Sequence, residues 1–207
     1  DSPVWAKDGS GIYFRYDDQG NTKIAFTDLD GKVRLIADSL GGRSLGRPYG
    51  GGTFSLGTQR LAYTRTRPDH PAEVAIAKAG EASKEITHLN RDLLDHRKLG
   101  RVEEIRYTSS FDKREIQGWV VTPPDFDPSV KYPLILEIHG GPIHHYGDRF
   151  TAEIQLYAAK GYVILYANPR GSTSYGEEFG NLLHHNYPGQ DYDDLISGVD
   201  ALIARGF

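Results

Sequence analysis

The stretch YPLILEIHGGPIHHYGD, residues 132–148, passes from a proline through consecutive apolar, β-prone residues into His139-Gly140-Gly141-Pro142. Leu134, Ile135 and Leu136 follow one another without the polar alternation of a half-wet strand, so the run reads as a strand buried on both faces. Two glycines and a proline directly after it make a sharp turn whose backbone N–H groups carry no shielding side chain. In open parallel sheets the loops at the carboxyl ends of the strands carry the chemistry.

The neighbouring segments extend this pattern. Residues 103–123 alternate as two strands joined by a hairpin around Phe111-Asp112-Lys113, and the proline-rich loop 123–133 leads into the quoted strand. Residues 151–161, TAEIQLYAAKG, read as a helix stopped by Gly161, and residues 162–167, YVILYA, as a second buried strand. Residues 191–206 form a longer amphipathic helix with acids in its first turn and Gly206 at its end. Strand and helix alternating in this way predict a parallel sheet covered on both faces.

Residues 1–90 have a different rhythm. Short β-prone runs (GIYFRYDD, TKIAFTDLDGKVRLIA, RLAYTRT, AEVAIAKAG, KEITHL) are separated by turn residues, and no long amphipathic helix intervenes. Trp5 aligns with Phe54, Ile12 with Leu61, Phe14 with Tyr63, Ile24 with Val74 and Gly31 with Gly80, at an offset of 49 to 50. A repeat of about four short strands is the pattern of β-propeller blades, which must stack because one blade cannot bury both faces. A small β-sandwich shares the strand spacing but does not predict the paired offset. The predicted fold class is therefore α/β plus all-β: residues 1–99 as about two C-terminal blades of a β-propeller, and residues 100–207 as the opening half of an α/β domain.

Composition narrows the function. With 24 Lys and Arg against 28 Asp and Glu, the net charge of −4 gives no reason to expect nucleic acid or an anionic membrane as partner. The chain has no cysteine, which excludes disulfides, thiolate metal sites and a cysteine nucleophile and leaves the compartment open. No apolar run approaches the roughly 18 residues of a membrane span. The chain begins at Asp1, contains no methionine and closes on a capped helix, so a piece of a longer polypeptide is expected.

Gly140 and Gly141 can aim N–H groups at a developing oxyanion, and α/β-hydrolases take one such donor from a glycine-rich loop of this kind; a plain tight turn is the alternative. His139 is too early in the chain for a hydrolase base and is expected to orient the loop or contact substrate. After YVILYA comes Asn168-Pro169-Arg170-Gly171-Ser172, where Arg170 could clamp a substrate carbonyl or carboxylate or, as favoured here, tie loops together as a fork. His144-His145 and His184-His185 lack metal-site spacing, and Asp28-Leu29-Asp30-Gly31 lacks the later ligands of a calcium loop, so no metal or other cofactor is expected. Asp191, Asp193 and Asp194 read as a helix start.

YPLILEIHGGP (residues 132–142), YAAKGYVILYANPRGSTSYGEEF (157–179) and YPGQDYDDLISGVDALIARGF (187–207) together resemble, in order and spacing, the catalytic domain of the prolyl oligopeptidase family of serine peptidases. The acylaminoacyl-peptidase and dipeptidyl-peptidase branches are the most similar. The resemblance implies a Ser–Asp–His peptidase that cleaves short or N-blocked peptides through an acyl-enzyme beneath a propeller, with Gly141 supplying an oxyanion N–H. The dipeptidyl branch has a tyrosine in place of His139, so the histidine points to the acylaminoacyl type.

Such an enzyme needs a serine in a GxSxG elbow between a strand and a helix. The one match, Gly42-Arg43-Ser44-Leu45-Gly46, lies inside the β-repeat, where that context is missing. Ser172 and Ser174 have the wrong glycine spacing. The triad is therefore expected beyond residue 207, leaving these residues alone inactive. A carboxylesterase-like hydrolase and a non-catalytic propeller-based binding protein are the alternatives; the partners expected are a peptide substrate and either a second copy or the remainder of the parent chain.

Overall fold

A computed structural model describes residues 1–141 and 143–207. Pro142, the last residue of the glycine turn, lies outside the described residues. The alternating runs of the first 90 residues form β1 (Val4–Trp5), β2 (Gly11–Asp18), β3 (Asn21–Asp28), β4 (Val33–Leu40), β5 (Phe54–Leu56), β6 (Leu61–Arg67), β7 (His70–Ala77) and β8 (Lys84–Glu85). They pair antiparallel in one open sheet in the order β1-β2-β3-β4-β6-β7-β8, with β5 on the side of β6. The sheet divides into two similar sets, because β4 meets β6 at a single register pair, Leu40 opposite Arg65.

The two sets correspond strand for strand, with one slip. Trp5 sits opposite Ile12, whereas Phe54 sits opposite Tyr63 rather than Leu61. A shift of two residues keeps every side chain on its original face, since strands repeat every second residue. Gly31 and Gly80 both turn the chain at positive φ, +82° and +80°, between corresponding strands. Ile24, Phe26, Leu40, Leu61, Tyr63 and Ala75 fill the core of this half. The Asp28 carboxylate accepts the N–H groups of Asp30 and Lys32, so the calcium-like sequence closes a turn on itself.

A second sheet contains β9 (Arg101–Thr108), β10 (Glu115–Thr122), β11 (Leu134–Glu137) and β12 (Val163–Asn168) in the order β11-β12-β10-β9. It is mixed rather than parallel: β11 and β12 run parallel, while β12–β10 and β10–β9 are antiparallel. A parallel return needs a crossover long enough to hold a helix. Among the described residues, only α2 (Ala152–Ala159), between β11 and β12, provides one; 109–114 is a hairpin turn and 123–133 is a helix-free loop.

Every residue of β12 is buried, because both faces are covered. Ile164 and Tyr166 pack with Trp119, Val121, Ile154 and Ala158 on the α2 side. Val163, Leu165 and Ala167 pack with Ile105, Val120 and Leu202 on the side of α4 (Asp191–Ala204). The Trp119 and Tyr166 rings stack at 5.3 Å. Edge strand β11 is half-buried throughout, less covered than its apolar run predicts. Two short helices, α1 (Arg91–Leu94) and α3 (Glu177–Asn181), complete the elements.

The sheets meet through close backbone approach. The β2–β3 turn pushes Gln19 and Gly20 onto the loop after β12, where both N–H groups bond Ser174, at its carbonyl (2.9 Å) and its hydroxyl (2.8 Å). Arg149 is buried beside this turn and donates to Thr22 Oγ1 (2.8 Å) and Gly20 O (3.3 Å). Burial pushes its guanidinium pKa down to about 10. The 41–53 loop joins the contact: Gly50 N donates to His145 O, Gly147 N donates to Pro48 O, and Arg47 pairs with Glu137.

Candidate active site

Because β11 and β12 are parallel, their exit loops leave the sheet at the same end and lie side by side. His139 and residues 144–146 are fastened to residues 168–173. His139 Nε2 lies 3.0 Å from Ser172 Oγ, Thr173 N donates to His144 O at 3.0 Å, and His145 Nδ1 lies 2.8 Å from Thr173 Oγ1. Asn168 closes the far end, accepting from Tyr146 N (2.7 Å) and donating to Tyr146 O (2.8 Å). His139, Tyr146, Asn168 and Ser172 are buried, so their bonds are made in surroundings where leaving one unmade costs about 1–3 kcal/mol.

The part left uncovered is the glycine turn. Gly140, Gly141, Ile143 and His144 are exposed, whereas His139, His145 and Tyr146 are buried. Among the described residues, no hydrogen bond engages the N–H of Gly140 or Gly141. A side chain on Gly140 would meet open space; Gly141 has φ +119°, and a Cβ there would sit 2.5 Å from the His144 ring. The turn therefore requires glycine at 141 for its backbone and its contacts. Beyond the turn, Ile143, Thr173 and Asp17 border two hollows: one of about 520 Å³ also bordered by Arg15, Arg43 and Tyr49, another of about 640 Å³ also bordered by Glu177, Leu183 and Tyr187.

His139 packs edge-on against the Tyr146 ring at 5.0 Å, and burial holds its pKa below the usual imidazole value. The same cause pushes His145 down to about 4, with Asp17 opposing and Arg149 reinforcing the shift. Both rings are neutral near pH 7. Of the adjacent histidines, His145 faces Thr173, and His184 and His185 meet edge to face at 4.0 Å.

Arg170 is buried, and its donors are occupied within the protein. Asp194 takes its backbone N–H, Nε and Nη2, Asp112 takes Nη1 and Nη2, and Ser109 accepts from Nη2. The hydrogen bond to Asp194 is the leading cause that raises the Arg170 pKa above its already high ordinary value. This is the geometry of a loop-tying fork rather than a clamp with donors held out to a ligand. Asp194 itself was legible only as a helix-start acid; its role as the buried counter-ion comes from a partner 24 residues away, which no local pattern encodes.

Ser44 lies in the loop between β4 and β5, so the next element after it is a strand rather than a helix. Its hydroxyl accepts the N–H of Arg47 at 3.2 Å. The strand–turn–helix geometry that exposes and activates an elbow serine is absent there.

The profile of the prolyl oligopeptidase family matches residues 148–207. The uncharacterized peptidase YuxL of Bacillus subtilis is 37% identical over 206 residues, 98% of this chain and 30% of its own length. The chain belongs to the prolyl oligopeptidase family. Dipeptidyl-peptidase 5 of Aspergillus fumigatus is 29% identical over 95% of this family member and 27% of its own length. The solved acylaminoacyl peptidase of Pyrococcus horikoshii superposes with a TM-score of 0.79 at 28% identity, covering 95% of this chain and 30% of that one. This prolyl oligopeptidase family chain thus spans about 30% of the relatives it matches.

Proposed function

We propose that the polypeptide carrying this sequence is a serine peptidase that hydrolyses short or N-blocked peptides through an acyl-enzyme, with the Gly141 N–H as one donor of its oxyanion hole. The observation that carries this reading is the glycine turn: exposed, with N–H groups that no hydrogen bond engages among the described residues, yet anchored by buried hydrogen bonds at both ends. Such preorganised donors stabilise charge that develops only in the transition state, and losing one costs about 100- to 1,000-fold in rate. Gly140 supports the turn and His139 holds its base. Arg170 orders the neighbouring loop.

The relatives favour a peptide substrate. One similar structure, an acylaminoacyl peptidase 29% identical with a TM-score of 0.79, was solved with Z-Gly-Gly-Phe-chloromethyl ketone. In this reading residues 1–99 are about two blades of a β-propeller and residues 100–207 the N-terminal part of an α/β-hydrolase domain, which agrees with the duplicated strand sets and the two-sided sheet. The nucleophile is then a serine outside these 207 residues, on a strand that pairs with the free edge of β11, and the 207 residues alone are inactive. The test compares blocked peptide amides with simple esters as substrates of the full-length protein. Turnover of amides that is abolished by a serine-directed phosphonate supports the peptidase; turnover of esters alone replaces it with a carboxylesterase.

A further inference from the structure

We propose that Ser172 is a positioning residue for the oxyanion donor, acting through His139; the inference rests on the reading of Gly141 given above. Ser172 is 1% exposed, and its hydroxyl lies 2.7 Å from Pro169 O and 3.0 Å from His139 Nε2. The other ring nitrogen of His139, Nδ1, lies 3.3 Å from Gly140 O. The ring therefore stands between the hydroxyl and the carbonyl of the glycine turn. The neutral ring carries one proton, so with Nδ1–H donating to Gly140 O it is the Ser172 hydroxyl that donates to Nε2.

The consequence follows from the planarity of the peptide. Gly140 C=O and Gly141 N–H belong to one peptide unit and, in a trans peptide, point in opposite directions. With the carbonyl turned toward the His139 ring, the N–H of Gly141 is turned away from it. Rotation of the ring would release the carbonyl and let that peptide plane swing. Ser172 blocks the rotation from one side and the edge of Tyr146 from another. Ser172 is itself held by its backbone N–H, which donates to Pro169 O at 3.1 Å at the end of β12, so the fully buried strand sets the direction of a donor on the half-buried one.

The test uses the full-length protein and a blocked peptide amide. S172A is expected to lower kcat about 10- to 100-fold, the scale on which small misplacements of catalytic groups act, with KM unchanged within about twofold. In a cycle of S172A, H139F and the double variant, the double is expected to lose no more than the worse single variant, since one acts through the other. Single losses that multiply in the double variant, or an unchanged kcat in S172A, would overturn the proposal. If S172A does not accumulate as folded protein, H139Q against H139F decides: glutamine keeps a polar end for Ser172 and is expected to retain at least tenfold more kcat. Equal losses would count against a Ser172 link. A wild-type protein inactive on every peptide would instead overturn the peptidase reading.

Discussion

Asp194 Oδ2 accepts two hydrogen bonds from a single residue, the backbone N–H of Arg170 at 2.8 Å and its Nε at 2.9 Å, while Oδ1 receives Nη2 at 2.7 Å. Asp194 is fully buried on the first turn of α4, and Arg170 follows directly on the loop after β12. Removing the carboxylate would leave a guanidinium buried with only Asp112 as counter-ion. D194A is expected to destabilise the full-length protein by about 3–5 kcal/mol, read from denaturant unfolding. A loss under about 1 kcal/mol would show that Asp112 alone satisfies Arg170.

The glycine turn makes a separate prediction, because Gly141 combines φ +119° with a Cβ position 2.5 Å from the His144 ring. G141A is expected to reduce kcat/KM at least 100-fold, the scale of one lost oxyanion donor, while the far-ultraviolet circular dichroism stays unchanged. G140A meets open space and is expected to retain more activity than G141A. The reverse ranking would place the donor elsewhere.

Contact between the two sheets depends on glycine at 147. A Cβ there would lie 2.0 Å from Gly20 O and 2.7 Å from Arg149 Nη1. G147A is expected to cost about 1–3 kcal/mol as overpacking and to expose the β2–β3 turn. Amide exchange at Gln19 and Gly20, which bond Ser174, measures that exposure. Protection equal to wild type would contradict it.

His145 predicts a pH dependence. Its folded pKa, near 4, lies below the ordinary imidazole value of 6.5. The unfolded chain therefore binds a proton first as the solution is acidified. The stability that neutral, buried His145 contributes is complete above about pH 6.5 and is lost as the pH falls toward 4. Thermal midpoints are expected to drop across that window, and H145N is expected to flatten the drop. An equal slope in both proteins would show that other groups control acid unfolding.

Much of this architecture was legible in local pattern. Period-two alternation placed β2, β3, β6 and β7, and the continuous runs at 134–139 and 162–167 marked β11 and β12. Gly161 and Gly206 follow their helices at positive φ, the conformation that makes glycine a helix stop. The exposed glycine turn was also readable, since its residue types are tied to backbone geometry. Features that depend on distant partners were not. Asn168 gives no sequence sign that it will clamp Tyr146, and α3 is too short for a periodic signal. The mixed sheet differs from the parallel expectation because strand order depends on crossover length, not on the apolarity of each strand.

The central claim is that this glycine turn serves a serine nucleophile on the same polypeptide. The most direct measurement is reaction of the full-length protein with a fluorophosphonate, followed by peptide mass spectrometry of the labelled residue. The account predicts a single labelled serine within a GxSxG sequence outside residues 1–207, and labelling at least 100-fold slower in G141A. Label on Ser44, or no label on folded wild-type protein, would contradict it.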